Sequence, residues 1–304
     1  MITVENVTKR FGGVTALSNV SFSIGQGCIY GMVGSNGAGK STLLRIINGV
    51  YRPDEGTVAL DGRGVYGDAE ARSRMFYVPD EPYFDTGCGI AATARTYASV
   101  YSGFDLKLCT RLSSEFELDT KKPVNTFSKG MKRQAAVVLA MACRPDYYFF
   151  DETLDGLDPV MRGHVRRLIA SDVSERGATA FITSHSLREL EDLCDQLALL
   201  HKGGLVLESD VSSLKTSMFK VQAAFPNGYD VRSLEGTDVV KFVKRGSVCN
   251  MIVKGDENEV EARIRAMNPL FVDILPLNLD EVFTYEMEAL GYVFEKDPGG
   301  TNEK

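Results

Sequence analysis

A glycine-rich loop at residues 34–41 is the feature that most limits how this chain can fold. It reads Gly-Ser-Asn-Gly-Ala-Gly-Lys-Ser, follows an apolar run at residues 28–33 and precedes a segment with helical spacing at residues 40–48. Glycines let the backbone N–H groups and the positive end of a helix face a phosphate, while the lysine reaches the terminal phosphates and the hydroxyl faces Mg²⁺. The pattern predicts a strand–loop–helix unit that binds a nucleoside triphosphate. The predicted nucleotide-binding residues are Gly34, Ser35, Asn36, Gly37, Ala38, Gly39, Lys40, Ser41 and Thr42.

The rest of the first two thirds of the chain predicts an α/β fold of the P-loop NTPase type. Short apolar runs alternate with helical patterns, which is typical of a mostly parallel sheet covered by helices on both faces. Alternating apolar and polar residues near the start predict an antiparallel N-terminal subdomain. The further predicted strands are residues 2–7, 20–24, 75–78, 147–150, 178–183 and 196–200, and the helices of this core are residues 159–175 and 187–193.

Two other regions are expected to fold differently from this core. Between about residues 85 and 143 the strand signal disappears and three helical patterns predict an inserted helical subdomain. After residue 210, short strand and helix patterns predict a small α+β accessory module at residues 211–304, with a ferredoxin-like arrangement. The expected domains are therefore residues 1–210 and 211–304.

Composition excludes several classes of protein. The 304 residues are 44% hydrophobic and 25% charged, as in ordinary globular chains and unlike disordered or fibrous ones. A net charge of −7 argues against a protein that binds nucleic acid mainly through its phosphates. The six cysteines form no CxxC pair and fit reduced thiols in a cytoplasm. The longest apolar stretch, residues 135–143, is too short for a spanning helix, which needs about 20 residues.

Two carboxylates follow the predicted buried strand at residues 147–150. Asp151 and Glu152 stand at the carboxyl end of this strand, and Asp151 lies 111 residues after Lys40. Asp151 can hold the water shell of Mg²⁺, and Glu152 can polarise a water for in-line attack on the γ-phosphate. The pair therefore predicts triphosphate hydrolysis.

Three further segments carry a family resemblance. Residues 126–134 read Thr-Phe-Ser-Lys-Gly-Met-Lys-Arg-Gln, residues 154–159 read Leu-Asp-Gly-Leu-Asp-Pro, and residues 182–185 read Ile-Thr-Ser-His. With the phosphate loop and the carboxylate pair, they make the chain resemble the ATP-binding subunit of an ABC transporter, up to about residue 210. The C-terminal module resembles the tail of drug- and peptide-exporter ATPases, so the resemblance is to an exporter-like subunit of the ABC-2 type.

The resemblance assigns roles to five residues. It implies that Phe11 stacks on adenine and that His185 senses the γ-phosphate beside the catalytic Glu152. It also implies that Ser128 and Gly130 contact ATP held by an opposite subunit, in trans, and that Asp158 communicates with that subunit. A complete site would then need two subunits that close over two ATP molecules with Mg²⁺.

Three features of the sequence depart from the family pattern. Phe127, Lys129 and Met131 alter the signature segment, although its serine and second glycine remain. Asp80 replaces the metal-sensing glutamine, and its carboxylate is expected to meet Mg²⁺ directly or through water. Asp155 replaces a serine and is expected to alter contacts across the dimer. All three changes are compatible with slow hydrolysis.

The resemblance also implies partners and a location. A second ATP-binding subunit, identical or different, and transmembrane permease subunits in separate chains are expected, with no nucleic acid. The chain is expected in the cytoplasm, peripheral on the inner face of the cell membrane. Two alternatives stay open: a soluble ABC-type ATPase outside transport, and a nucleotide-binding regulator with little turnover. A single phosphate loop and the acidic balance weigh against the first, whereas the altered signature and Asp80 motivate the second.

Overall fold

The computed structural model describes residues 1–225 and 237–289. The chain divides into two compact units, Met1–Ser209 and Asp210–Lys304. Residues 226–236 and 290–304, which fall in the predicted accessory module, lie outside the described residues. Within the described ranges, none of the helices combines the length and the apolar character that crossing a bilayer requires.

An antiparallel sheet forms the N-terminal part of the first unit. Its long strands alternate buried and exposed side chains, as expected where one face of a sheet covers a core. Gly12 has φ 57° in the turn between these strands, a conformation that glycine adopts without strain. The strands are β1 (Ile2–Phe11), β2 (Val14–Ile24), β4 (Glu55–Leu60) and β5 (Arg63–Gly64), in the order β2-β1-β4-β5.

A six-stranded sheet lies at the centre of the first unit. It contains β3 (Ile29–Val33), β6 (Met75–Val78), β7 (Tyr147–Asp151), β8 (Thr179–Ser184), β9 (Gln196–His201) and β10 (Gly204–Asp210), in the order β10-β9-β3-β8-β7-β6. Every residue of β3, β7 and β8 is buried, which explains their continuous apolar runs. The pairs β3–β8, β3–β9, β6–β7 and β7–β8 are parallel. The carboxyl ends of these strands therefore lie along one edge.

Helices cover this sheet. Asp158 caps the longest of them by accepting from two backbone N–H groups, and Gly177 ends it with φ 70°. The apolar side chains of the first helix, such as Leu43 and Ile47, join the buried cluster between the two sheets. The helices of the core are α1 (Lys40–Ile47), α2 (Ala69–Ser73), α6 (Pro159–Arg176) and α7 (Leu187–Leu190).

The insertion between β6 and β7 is helical, as the sequence predicts. It contains α3 (Ile90–Val100), α4 (Leu106–Glu115), a 3₁₀ turn (Val124–Thr126) and α5 (Lys129–Cys143). From Arg133 to Cys143 every residue of α5 is buried, so this apolar stretch is a core helix.

The second unit is built around an antiparallel sheet. Its elements are α8 (Val211–Ser217), β11 (Met218–Ala224), β12 (Asp238–Arg245), β13 (Val248–Lys254), α9 (Glu257–Ala266), β14 (Phe271–Pro276) and α10 (Leu279–Ala289). The order β12-β13-β11-β14 is the strand order of a ferredoxin-like fold. Residues 226–236, between β11 and β12, are outside the described ranges. Val221 and Val253 lie in the apolar cluster that α9 joins through Ile264.

The predicted fold class is confirmed, with differences in detail. The structure contains a mostly parallel core sheet, an antiparallel N-terminal sheet and an inserted helical subdomain, as expected. The predicted helix at residues 187–193 ends at Leu190. The sequence patterns missed β4, β5, α2, β10 and α8. These elements are short or lack a regular buried face: β4 begins with three exposed residues, and β10 has no fully buried residue.

Candidate functional site

The phosphate loop joins the end of β3 to the start of α1, at the carboxyl edge of the central sheet. A Cβ atom on Gly34 would lie 2.4 Å from the carbonyl oxygen of Leu200. Gly39 has φ 109°, a backbone conformation that would be strained for any residue with a side chain. Both positions therefore require glycine. The structure places all of the predicted loop residues, 34–42, in one continuous turn and first helical turn.

Lys40 is the first residue of α1, and its side chain is almost fully buried at the loop. Its Nζ atom donates to the carbonyl oxygen of Gly34 at 2.6 Å and to that of Ser35 at 3.3 Å. The same atom lies 3.0 Å from Oε1 of Glu152. The ammonium is thus surrounded by oxygen acceptors. The oxygens of a bound phosphate group would provide acceptors of the same kind.

Asp151 is the last residue of β7, and it is completely buried. Three hydroxyls donate to its carboxylate: Ser41 at 3.1 Å, Thr183 at 2.9 Å and Tyr77 at 2.9 Å. Burial, followed by the charge of Asp151, raises the pKa of Tyr77, so this phenol remains a donor. The structure therefore brings Ser41 and Asp151 together. A carboxylate beside a hydroxyl is a hard oxygen donor set that fits Mg²⁺.

Glu152 follows directly in a left-handed conformation, with φ 47°. Its backbone N–H donates to the carbonyl and to the hydroxyl of Thr183, both at 3.1 Å. Non-glycine residues adopt this conformation rarely and at a cost, and such residues cluster at functional sites. The turn therefore directs the two consecutive carboxylates to different partners. Asp151 accepts hydrogen bonds from hydroxyls, whereas Glu152 pairs with the ammonium of Lys40.

His185 and Asp155 form a second polar cluster at the same edge. Nδ1 of His185 lies 2.6 Å from Oδ2 of Asp155, and Ser184 donates its hydroxyl to Oδ1 at 2.7 Å. One ligand atom each from Glu152, Asp155 and His185 lie within 4.8 Å of one another. The structure thus groups the predicted sensor histidine with the predicted base, and adds an acid that the sequence analysis expected only at a dimer contact.

Asp80 belongs to a different group from Ser41 and Asp151. Its carboxylate pairs with the guanidinium of Arg133 on α5, and Nε of Arg133 donates to the Asp80 carbonyl at 3.2 Å. Arg133 is buried, and a Cβ atom on Gly156 would overlap its guanidinium. The arginine therefore joins the segment after β6 to the loop after β7. That Asp80 is a metal ligand stays a prediction.

The signature segment and Asp158 lie at helix starts. Ser128 accepts from the N–H of Met131 at 3.2 Å and caps α5, whose first turn contains Gly130. Asp158 accepts from Val160 and Met161, both at 3.1 Å, and caps α6. Ser128 and Asp158 are exposed, so both are open to a partner.

Phe11 ends β1 and is 45% exposed. Its ring packs edge-on to Tyr51 with centroids 5.6 Å apart, and Lys9 Nζ lies 5.4 Å from its centroid. The ring is held by these contacts and still has an exposed surface, so it can stack on a nucleotide base.

Sequence reasoning missed three residues of these clusters: Tyr77, Arg133 and Thr183. Tyr77 and Asp151 are 74 positions apart, and Arg133 and Asp80 are 53 apart. Because these partners are so far apart along the chain, no regular spacing in the sequence indicates that they meet. Asp155 was visible as a departure from the family pattern, but its contact with His185 was not.

Comparison with known proteins identifies relatives along most of the chain. A family model described as "ABC transporter" matches residues 17–155. The ABC transporter ATP-binding protein YtrB of Bacillus subtilis is 29% identical over 93% of this chain and 97% of its own length. The Nod factor export ATP-binding protein I of Burkholderia orbicola is 31% identical over 93% of this chain and 95% of its own length. The bacitracin transport ATP-binding protein BcrA of Bacillus licheniformis is 31% identical over 71% of each chain.

Solved structures resemble the ATP-binding part. An ATP-binding subunit of an ABC transporter superposes with a TM-score of 0.65 at 26% identity, covering 71% of this chain and 92% of that one. A dimeric post-hydrolysis structure of the ATP-binding cassette MJ0796, bound to ADP and Pi, gives a TM-score of 0.63 at 23% identity. It covers 69% of this chain and 99% of that one, and it shows the shared fold.

Proposed function

The chain belongs to the ABC transporter family of ATP-binding proteins and is an ATPase, and we propose that it powers export through separate membrane subunits. In this proposal two ATP-binding subunits close over two ATP molecules. The cargo class is a drug, a peptide or a lipid-like molecule. The observation that carries the ATP-hydrolysing part of the proposal is the cluster of Lys40, Ser41, Asp151 and Glu152 at one sheet edge, joined by contacts of 3.0 and 3.1 Å.

The same contacts support a division of roles during hydrolysis. Lys40 exchanges its carbonyl and carboxylate partners for the β- and γ-phosphate oxygens, which releases Glu152. Glu152 then accepts a proton from the water that attacks the γ-phosphorus in line. Ser41 and Asp151 would hold Mg²⁺, which supplies positive charge to the phosphates. Phe11 stacks on the adenine.

The positions of the signature residues support closure by two subunits. Ser128, Gly130 and Asp158 stand at the N-terminal ends of α5 and α6, where backbone N–H groups favour phosphate and other negative charge. Contact with ATP in the opposite subunit uses this exposed surface. The dimeric structure of a relative with ADP and Pi supports this arrangement.

Export and membrane attachment rest on the relatives and on one surface segment. The names of two relatives specify Nod factor export and bacitracin transport. Tyr83 is 81% exposed in the segment after β6, and exposed aromatic side chains favour protein contacts. In this proposal the segment docks a permease subunit, which places the chain on the inner face of the cell membrane.

The Glu152→Gln variant tests the proposal. Without its base, this variant is expected to bind ATP without hydrolysing it and to accumulate as a dimer when ATP and Mg²⁺ are saturating, as measured by light scattering. Phosphate release is expected from the wild type and not from the variant. Glu117→Gln is a matched control, because Glu117 also has a left-handed backbone, with φ 54°, and is exposed. A variant that stays monomeric contradicts closure by two subunits, and a wild type that releases no phosphate even with its membrane partner favours a regulator.

A further inference from the structure

Glu189, on α7, has an unusual carboxyl group. Its Oε2 atom is the one buried side-chain nitrogen or oxygen that lacks a hydrogen-bond partner in residues 1–225 and 237–289. Its other oxygen, Oε1, lies 2.7 Å from Nη1 of Arg162, and the side chain is 11% exposed. A buried acceptor without a donor is destabilising, whereas a proton on this oxygen would make it a donor.

The acceptor for such a proton is Asp155. The carboxyl of Glu189 lies within hydrogen-bonding reach of that of Asp155, but two ionised carboxylates cannot form such a bond because neither has a donor. Burial and the neighbouring Asp155 raise the pKa of Glu189 to about 7. Burial opposes ionisation of Asp155 as well, but hydrogen bonds from Glu189 and Ser184 outweigh it and leave the pKa of Asp155 below its ordinary value. Glu189 is therefore the member of the pair that holds a proton, up to a pH of about 7.

Asp155 in turn determines which nitrogen of His185 carries a proton. Its side chain is 7% exposed, and its Oδ2 atom lies 2.6 Å from Nδ1 of His185. An ionised carboxylate only accepts, so Nδ1 must donate. Nε2, on the other side of the ring, is left for another partner, and the His185 side chain is 54% exposed.

We propose that Asp155 and a protonated Glu189 form a carboxyl pair that positions His185 with its proton on Nδ1, so that Nε2 contacts the γ-phosphate of ATP. The contact with ATP rests on the function proposed above. Both carboxyls act through the histidine and are positioning residues. Asp155, one of the three departures from the family pattern, thus acts within one subunit, on the sensor histidine.

Two arginines near the pair lower the pKa of Glu189, but burial and the neighbouring Asp155 outweigh them. Arg162 and Arg166 on α6 face Glu189, together with Asp155 from the loop after β7. Arg162 also donates to the carbonyl oxygens of Leu154 at 3.2 Å and Leu157 at 2.9 Å, so it anchors the loop that carries Asp155. A neutral Glu189 keeps a second negative charge away from the triphosphate, where it would be repelled.

Nitrogen-15 NMR of the full chain without nucleotide tests the pair independently of ATP hydrolysis. The chain has three histidines, so the imidazole signals can be assigned by substitution. His185 is expected to carry its proton on Nδ1 in the wild type and to lose this preference in Asp155→Asn, whose amide can donate to Nδ1. Asp155→Ser serves as a second variant if Asp155→Asn does not fold. An unchanged His185 signal in the folded variant overturns the proposal.

Kinetics tests the consequence for hydrolysis. Asp155→Asn is expected to lower kcat about 10- to 100-fold, with the KM for ATP within about twofold, by analogy with carboxylates that orient metal-bound histidines. Glu189→Gln keeps a neutral carbonyl and donor, so its activity relative to the wild type is expected to rise as pH increases from about 6 to 8. Glu115→Gln is the control, because Glu115 pairs with His164 at 3.2 Å. A pH-independent ratio for Glu189→Gln overturns the role of Glu189, whereas an inactive wild type contradicts the proposed function alone.

Discussion

Replacing Tyr77 by phenylalanine removes one hydroxyl from the buried carboxylate of Asp151. The wild-type carboxylate is fully buried and accepts from three hydroxyls, of which Tyr77 contributes the contact of 2.9 Å. The variant keeps the ring and leaves Ser41 and Thr183 as the remaining donors. The change therefore isolates one charge-assisted hydrogen bond.

The expected loss follows from the kind of bond. A hydrogen bond to a charged group contributes about 1.5–3 kcal/mol to the free energy of unfolding. When its donor is removed, the buried acceptor cannot form a hydrogen bond with water instead. For a unit the size of Met1–Ser209, each kcal/mol corresponds to roughly 2–4 °C in Tm. Tyr77→Phe is therefore expected to lower the Tm of this unit by roughly 3–12 °C.

Differential scanning calorimetry of the full chain measures this shift. The transition of the first unit is identified as the one that ATP raises, because a ligand stabilises the unit that binds it. Tyr83→Phe is the matched control, since the Tyr83 side chain is 81% exposed. A Tm for Tyr77→Phe equal to that of the control would refute the role of this hydroxyl.

Two further substitutions test the site. Lys40→Ala is expected to lower ATP affinity at least about 100-fold, because it removes the cation for the terminal phosphates; calorimetric titration measures this, and unchanged affinity contradicts the assignment of the phosphate loop. The wild type is expected to lose stability relative to Glu189→Gln as pH rises from about 5 to 7. Between the unfolded pKa near 4.5 and the folded value of about 7, the folded state binds the extra proton. Urea unfolding at several pH values measures this difference, and a constant difference would argue that Glu189 is ionised in the folded state.

The order of strands and helices in the first unit was predictable because its signals are local. Fully buried strands such as Tyr147–Asp151 read as continuous apolar runs, and α5 starts and ends at the predicted residues, Lys129 and Cys143. Elements with weak local signals were missed. The strand Glu55–Leu60 exists because β1 supplies its hydrogen-bond partners, from a segment about 50 residues earlier in the chain.

The sequence by itself determined the phosphate loop and its place between a strand and a helix, because glycine conformation and apolar periodicity act over a few residues. It also carried the family resemblance, and with it the roles predicted for Phe11, Ser128 and His185. Only the tertiary structure decided which side chains meet at the sheet edge. The three hydroxyls on Asp151 and the carboxyl pair behind His185 come from segments that parallel strands bring together. Burial opposes a charge on both carboxyls, and the hydrogen bonds that Ser184 and His185 donate to Asp155 decide that Glu189 keeps the proton. Burial and these contacts are properties of the packed fold and not of spacing along the chain.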